Sequence, residues 1–290
     1  MLPAARRHPS RYPSLAAMGL CTSLSPMVRL LDARSGSYAE VKPARRGLLR
    51  VCVHVPGTAG ATDITRLRVP LIADLLFRAA ELHDMQVLTV LAFAGQSDAQ
   101  METFERAADA LGIHPPAART SLPEAHASPG GPMDVHVISQ GADADGGQGG
   151  LVTRVGTAQI RGEGDHDAAA DDVLAGPRDP LAVRLALMSF PYHQPADLTE
   201  DVLASADETV AHWRHQVAHW AESPSRPMPA RISQAAGSAF GNLDTVSALG
   251  LLRDLILDAD VQAGAKFEAF VYADRILGLD LPRDIGRTSR

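Results

Sequence analysis

The sequence predicts an α/β protein in which a parallel sheet is followed by an α-helical bundle. Two short apolar, β-branched runs, LLRVCVHV at Leu48–Val55 and another ending at Phe93, are each followed by a stretch with helical spacing. Strand, helix, strand, helix is the order that builds a parallel sheet. Beyond Asp179 the strand-like runs give way to long segments with 3-4 apolar spacing. A chain of 290 residues that is 46% hydrophobic and 21% charged, with net charge -7, has the composition of a soluble globular protein with a sizeable core.

Residues 1–26 carry Arg6, Arg7, Arg11 and four prolines, and are expected to be a disordered leader or a start assigned upstream of Met27. The apolar patch at 15–20 is too short for an export signal, and no cleavage site follows it. A sheet domain is expected over 27–178. Its first strand ends in Pro56 and Gly57, and Asp63 is placed to cap the next helix. Over 64–82, Ile64, Leu67, Leu71, Leu75 and Ala79 keep helical spacing, but Pro70 predicts a helix that begins late or kinks there. A second strand follows at 85–93 and a second helix at 98–111, with Met101, Phe104, Ala107, Ala108 and Leu111 on one face.

Residues 114–132, with five prolines and two glycines, read as a linker or a trimmed insertion. Strands are expected at 133–139 and 151–160, separated by a glycine-rich acidic stretch and followed by another irregular one at 162–172. A helical domain then occupies 179–290. Asp179-Pro180 suits a helix start, and Thr199-Glu200-Asp201 opens a long helix with Leu203, Ala206, Val210, Trp213, Val217 and Trp220 as its buried stripe. Further helices are expected over 244–257 and 263–279.

Composition also excludes. Cys21 and Cys52 are the only cysteines, so neither a disulfide framework nor a multi-cysteine zinc cage can form, and a reducing cytoplasm is the expected location. No apolar run approaches the ~20 residues of a bilayer span. An acidic chain whose only lysines are Lys42 and Lys266 disfavours an extended nucleic-acid groove. His212, His215 and His219 share a helix but lack acidic or cysteine companions, and read as a solvated shoulder. Gly57, Thr58 and Gly60 after the first strand are a weak anion cradle that matches no phosphate-loop spacing. No serine has a nucleophile-elbow context.

The segment 179–203, DPLAVRLALMSFPYHQPADLTEDVL, resembles the start of the helical region in cysteinyl-tRNA synthetases and the related cysteine ligase of mycothiol biosynthesis, through Asp179, Tyr192 and Thr199-Glu200-Asp201. Residues 28–43 (VRLLDARSGSYAEVKP) resemble that family's leading segment, 49–74 its first strand, signature loop and first helix, and 232–252 a later acidic-then-helical segment. The likeness runs over about 28–279 and lacks the family's inserted segment and anticodon-binding domain. It implies a Rossmann-like, HUP-type sheet domain and an ancestral ATP-dependent, adenylate-forming activity.

That activity needs cationic donors around ATP phosphates. The resemblance places the first phosphate signature on Asp63-Ile64-Thr65-Arg66, where only the isoleucine matches, and the second on 160–164, which carries no lysine and one glutamate. A carboxylate repels phosphate. The family's first zinc-ligand position falls on His54; the other ligands would lie in the missing segment and around 143–150, which holds neither histidine nor glutamate. Cys52 and His54 share a strand face, but two donors do not complete a zinc site, so no metal is expected there. Asp134 and His136 match a family segment that lies against the nucleotide; its glycines are replaced by Val137, Ile138 and Ser139, although Gln140, Gly141 and Asp143 could line an altered pocket.

The resulting expectation is a catalytically degenerate synthetase-like protein with a binding or regulatory role, no resident cofactor, and a small metabolite or protein as partner rather than tRNA. The alternative is a divergent ligase that forms an acyl-adenylate from ATP, with Arg66, Arg68 and Arg161 replacing the lost signatures. Its nucleotide candidates are Thr58, Asp63, Arg66, Arg68, Asp134, His136 and Arg161.

Overall fold

A computed structural model of the chain describes residues 28–57, 63–93, 95, 97–121, 124–125, 132–142, 149–162 and 168–287. Thr58 and the stretches 1–26, 143–148 and 163–167, on which several expectations fell, lie outside these residues.

A short antiparallel hairpin, β1 (Arg29–Asp32) and β2 (Ser37–Glu40), precedes the main sheet. Five parallel strands follow: β3 (Leu48–Val55), β4 (Gln86–Phe93), β5 (Ala118–Ser121), β6 (Val135–Ser139) and β7 (Leu151–Val155), in the spatial order β5-β4-β3-β6-β7. The first of the five in sequence therefore lies at the centre. From β3 the chain builds outward through helices α1 (Ile64–Glu81) and α2 (Asp98–Ala110) to β4 and β5, then returns to place β6 on the other side. The order reverses between β3 and β6, and in open α/β sheets ligands bind beyond the strand ends at such a point.

Side chains alternate across β3. Leu49, Val51, Val53 and Val55 join the main core with α1, whereas Cys52 belongs to a smaller cluster with Val90, Ala92 and Met133. The main core is continuous from the hairpin through the sheet into the helical region, running from Val28 to Leu281. That region comprises α3 (Ala170–Leu174), α4 (Pro180–Met188), α5 (Glu200–Trp220), α6 (Ala230–Gly241), α7 (Thr245–Leu257), α8 (Ala263–Leu277) and a closing 3₁₀ turn at Leu281–Asp284. The expected stripe of α5 is buried, and Trp213 and Trp220 both meet Phe270 of α8 edge-on, at 5.5 and 5.1 Å between ring centroids.

Several expectations need correction. Helix α1 begins at Ile64 and runs unbroken through Pro70. The proline removes one donor to the carbonyl four residues earlier, but Asp63 caps the helix and Leu67, Leu71, Leu75 and Leu76 are fully buried around it, so packing outweighs the loss. The expected linker 114–132 supplies β5, paired with β4 over Val90–Phe93; it lies at the sheet edge, where neighbouring prolines cost no ladder bonds. The strand expected over 151–160 breaks at Gly156. Its second half becomes β8 (Ala158–Ile160), which leaves the sheet to pair in parallel with β9 (Ala196–Leu198), a strand inside the region expected to be wholly helical.

Candidate functional site

The switch point brings three donor side chains together on one face of the sheet. In the β3–β6 ladder Cys52 lies opposite His136, and His54 is two residues further along β3. The donor atoms of Cys52, His54 and His136 all lie within 4.8 Å of one another. His54 Nε2 is 3.1 Å from His136 Nδ1, and the rings meet edge to face with centroids 5.3 Å apart. Cys52 is fully buried and His136 nearly so, while His54 is half-buried and forms the accessible side of the cluster. Burial pushes the Cys52 thiol up to about 12, so the sulfur is protonated near neutral pH.

A tetrahedral zinc ion holds nitrogen at about 2.0–2.1 Å and sulfur at about 2.3 Å, which sets ligand atoms roughly 3.5 Å apart. The 3.1 Å nitrogen–nitrogen separation and the 4.8 Å envelope are within a small side-chain adjustment of that arrangement. The set implied by the resemblance is not reproduced, since it needed further donors from 143–150. The residues present fit a different set, two imidazoles and one thiolate, with one position open. Two donors are visible in the sequence as neighbours on one strand face; strand pairing supplies the third. No sequence signal pairs His136 with Cys52, because that depends on which strand β6 lies beside.

The positions of the first phosphate signature are occupied structurally. Asp63 accepts from the Thr65 backbone N–H at 2.8 Å and caps α1. Ile64 is buried. The Thr65 hydroxyl donates to the Ala158 carbonyl at 2.9 Å and accepts from the Ala158 N–H at 3.0 Å, pinning β8 to the helix start. Arg66 is 1% exposed, with its guanidinium carbon 5.5 Å from the centre of the Phe104 ring. Burial lowers its pKa, and the Asp63 and Asp171 carboxylates partly offset this.

Arg68, Asp134 and Arg161 are engaged in the same way. Arg68, fully buried, donates to the carbonyls of Gly156, Thr157 and Gln194 at 3.1, 3.0 and 2.6 Å and to that of Pro191 at 3.1 Å. Its charge gathers two chain segments that cross so closely that a Cβ on Gly156 would lie 2.1 Å from the Gln194 carbonyl oxygen. Asp134 accepts from the backbone N–H groups of Ala44 and Arg50 at 2.7 and 2.8 Å, fastening both β3 and the chain before it to the start of β6. Arg161 reaches both oxygens of Asp197 at 2.8 Å across the β8–β9 pair.

The residues carrying the resemblance also hold the fold. Asp179 caps α4 and pairs with Arg214 and Arg283. The Tyr192 hydroxyl accepts from the Leu31 N–H at 2.8 Å, and Thr199 caps α5. Sequence reasoning missed Asp74, a buried carboxylate that receives Arg184, Arg78 and His114 and so ties α1, α4 and the segment after α2. Burial alone would raise its pKa, but Arg184, His114 and Arg78 outweigh that and hold it well below the usual carboxylate range. Beside it, Pro70, Phe77, Leu91, Phe104 and Ile113 wall a cavity of about 210 Å³ that lies between α1 and α2, away from the switch point. His212, His215 and His219 are exposed. No helix among the described residues is long and apolar enough to cross a membrane.

No family model matches the chain. A stretch of 111 residues, 37% of the chain, is 31% identical to the L-cysteine:1D-myo-inositol 2-amino-2-deoxy-alpha-D-glucopyranoside ligase 2 of Corynebacterium jeikeium (strain K411). The matched stretch spans 26% of that protein's length, about a quarter. Among solved structures, a Campylobacter jejuni protein described as an arginyl-tRNA synthetase superposes over 81% of this chain and 84% of its own, at 10% identity and a TM-score of 0.42.

Proposed function

We propose that the chain is a relative of the cysteine-activating class I ligases that has kept their scaffold without adenylate-forming catalysis, and serves as a binding or regulatory protein in the cytoplasm. The match to a cysteine ligase over 111 residues supports the relationship. The observation that carries this reading is that Asp63 and Arg66, the outer positions of the first phosphate signature in the resemblance, are a helix cap and a guanidinium buried against Phe104. A carboxylate at the first of these positions repels a phosphate, and a guanidinium buried at the last is turned away from one. Arg68, beside it, is held by four carbonyls. The partner under this reading is a small metabolite or a protein, with tRNA disfavoured by the acidic net charge of -7.

Exchange of labelled pyrophosphate into ATP, measured with cysteine and a panel of other carboxylic acids, tests the proposal. No exchange is expected, together with a melting temperature unmoved by ATP and magnesium. Exchange above background, or an ATP-dependent rise in melting temperature that Arg66→Ala abolishes, would restore the ligase reading.

A further inference from the structure

We infer that Cys52, His54 and His136 form a binding site for a thiophilic divalent cation of the zinc class, held by two imidazole nitrogens and one thiolate with a fourth position left for water or a ligand. The inference goes beyond the proposed function and is independent of whether ATP binds. It rests on three observations. Three donor atoms of the types that zinc takes converge within 4.8 Å. They come from adjacent central strands, with Cys52 and His136 fixed opposite each other by the ladder, so their separation is set by the backbone rather than by flexible loops. The cluster lies on the two strands between which strand order reverses, with His54 as its accessible member.

The donor chemistry selects the cation. A thiolate with two imidazoles and no carboxylate disfavours magnesium and calcium, which take oxygen, and favours zinc, cobalt(II) or copper. Binding balances as follows. The N–H now shared between His54 Nε2 and His136 Nδ1 moves to an outer ring nitrogen, so both facing nitrogens present lone pairs and both rings stay neutral. Cys52 loses its thiol proton to solvent, and the site gains a net charge of about +1 from the divalent ion and one thiolate. Three protein ligands with one open position is the pattern of sites that bind an exchangeable group, whereas structural zinc sites close all four.

The full chain carrying Cys21→Ser, stripped with chelator, provides the test because Cys52 is then its single thiol. Titration with zinc in weak buffer at pH 7 is expected to saturate at one equivalent and release about one proton per ion. Cobalt(II) is expected to give the visible bands of tetrahedral coordination and a thiolate-to-cobalt charge-transfer band in the near ultraviolet. Cys52→Ser should remove that charge-transfer band, and His136→Gln should weaken cobalt binding at least tenfold. His54→Gln, at the half-buried position, is the variant least able to disturb folding and should also weaken binding at least tenfold. Circular dichroism of each variant verifies the fold. The inference is overturned if the folded parent protein takes up no zinc or cobalt at about 100 µM, between the micromolar and millimolar ranges of affinity. It is equally overturned if the bands persist in Cys52→Ser and vanish in His215→Gln/His219→Gln, which places the metal on the exposed face of α5.

Discussion

Arg184 Nη2 lies 2.6 Å from Asp74 Oδ2, and both side chains are removed from solvent. The same guanidinium donates from Nε to the Leu277 carbonyl at 2.6 Å and from Nη1 to that of Leu111 at 3.0 Å. One arginine from α4 thus meets α1, the end of α2 and the end of α8. Such a pair contributes little net stability over a well-packed apolar substitute, but losing one member leaves a buried charge without its counterpart.

Asp74 makes stability depend on acid. Its pKa is depressed in the folded protein, by Arg184, His114 and Arg78 acting against burial, while in the unfolded chain it is about 3.9. The unfolded state therefore takes up the proton first as pH falls. The contribution is fully present well above pH 4 and is lost progressively below it. Urea unfolding between pH 7 and pH 3 should show this loss, and Asp74→Asn should flatten the profile over that range.

Arg184→Met is expected to destabilise by about 3–5 kcal/mol, because Asp74 stays buried with Arg78 and His114 as partial compensation. Adding Asp74→Leu should recover part of that loss. A double-mutant cycle in urea measures the coupling, and strictly additive effects would count against the pair as the unit that matters.

Arg68→Met should cost at least about 2 kcal/mol, since the carbonyls of Gly156, Thr157, Gln194 and Pro191 lose their shared donor inside the protein. A phosphate clamp would behave differently: its removal would leave unfolding unchanged and reduce nucleotide binding. Chemical denaturation beside an ATP thermal-shift series separates the two roles.

Thr65→Val keeps the volume of the side chain but removes the hydroxyl that satisfies both backbone groups of Ala158. We expect a loss of about 1–3 kcal/mol. Hydrogen exchange should report it locally, with the Ala158 amide losing protection first.

Much of the architecture was legible because it depends on patterns within ten or twenty residues. The apolar run of β3, the stripe of α5 through Trp213 and Trp220, and the caps Asp63, Asp179 and Thr199 follow from periodicity and from side chains that satisfy helix N–H groups. Edge strands β5 and β9 were not legible. Each is short, and each is a strand only because a neighbouring segment, β4 or β8, offers a ladder. Helix α1 looked broken at Pro70 because one missing hydrogen bond is visible in sequence and the burial that outweighs it is not.

The candidate site divides along the same line. Sequence alone determined that 160–164 carries no lysine and that Cys52 and His54 share a strand face, because residue identity and a two-residue repeat are properties of the chain itself. Tertiary structure decided that Arg66 and Arg68 turn inward and that Asp134 braces the backbone of β3 and of the chain before it. It alone set His136 beside Cys52 and His54, since contact between residues more than eighty positions apart is fixed by which strands pair and in what register.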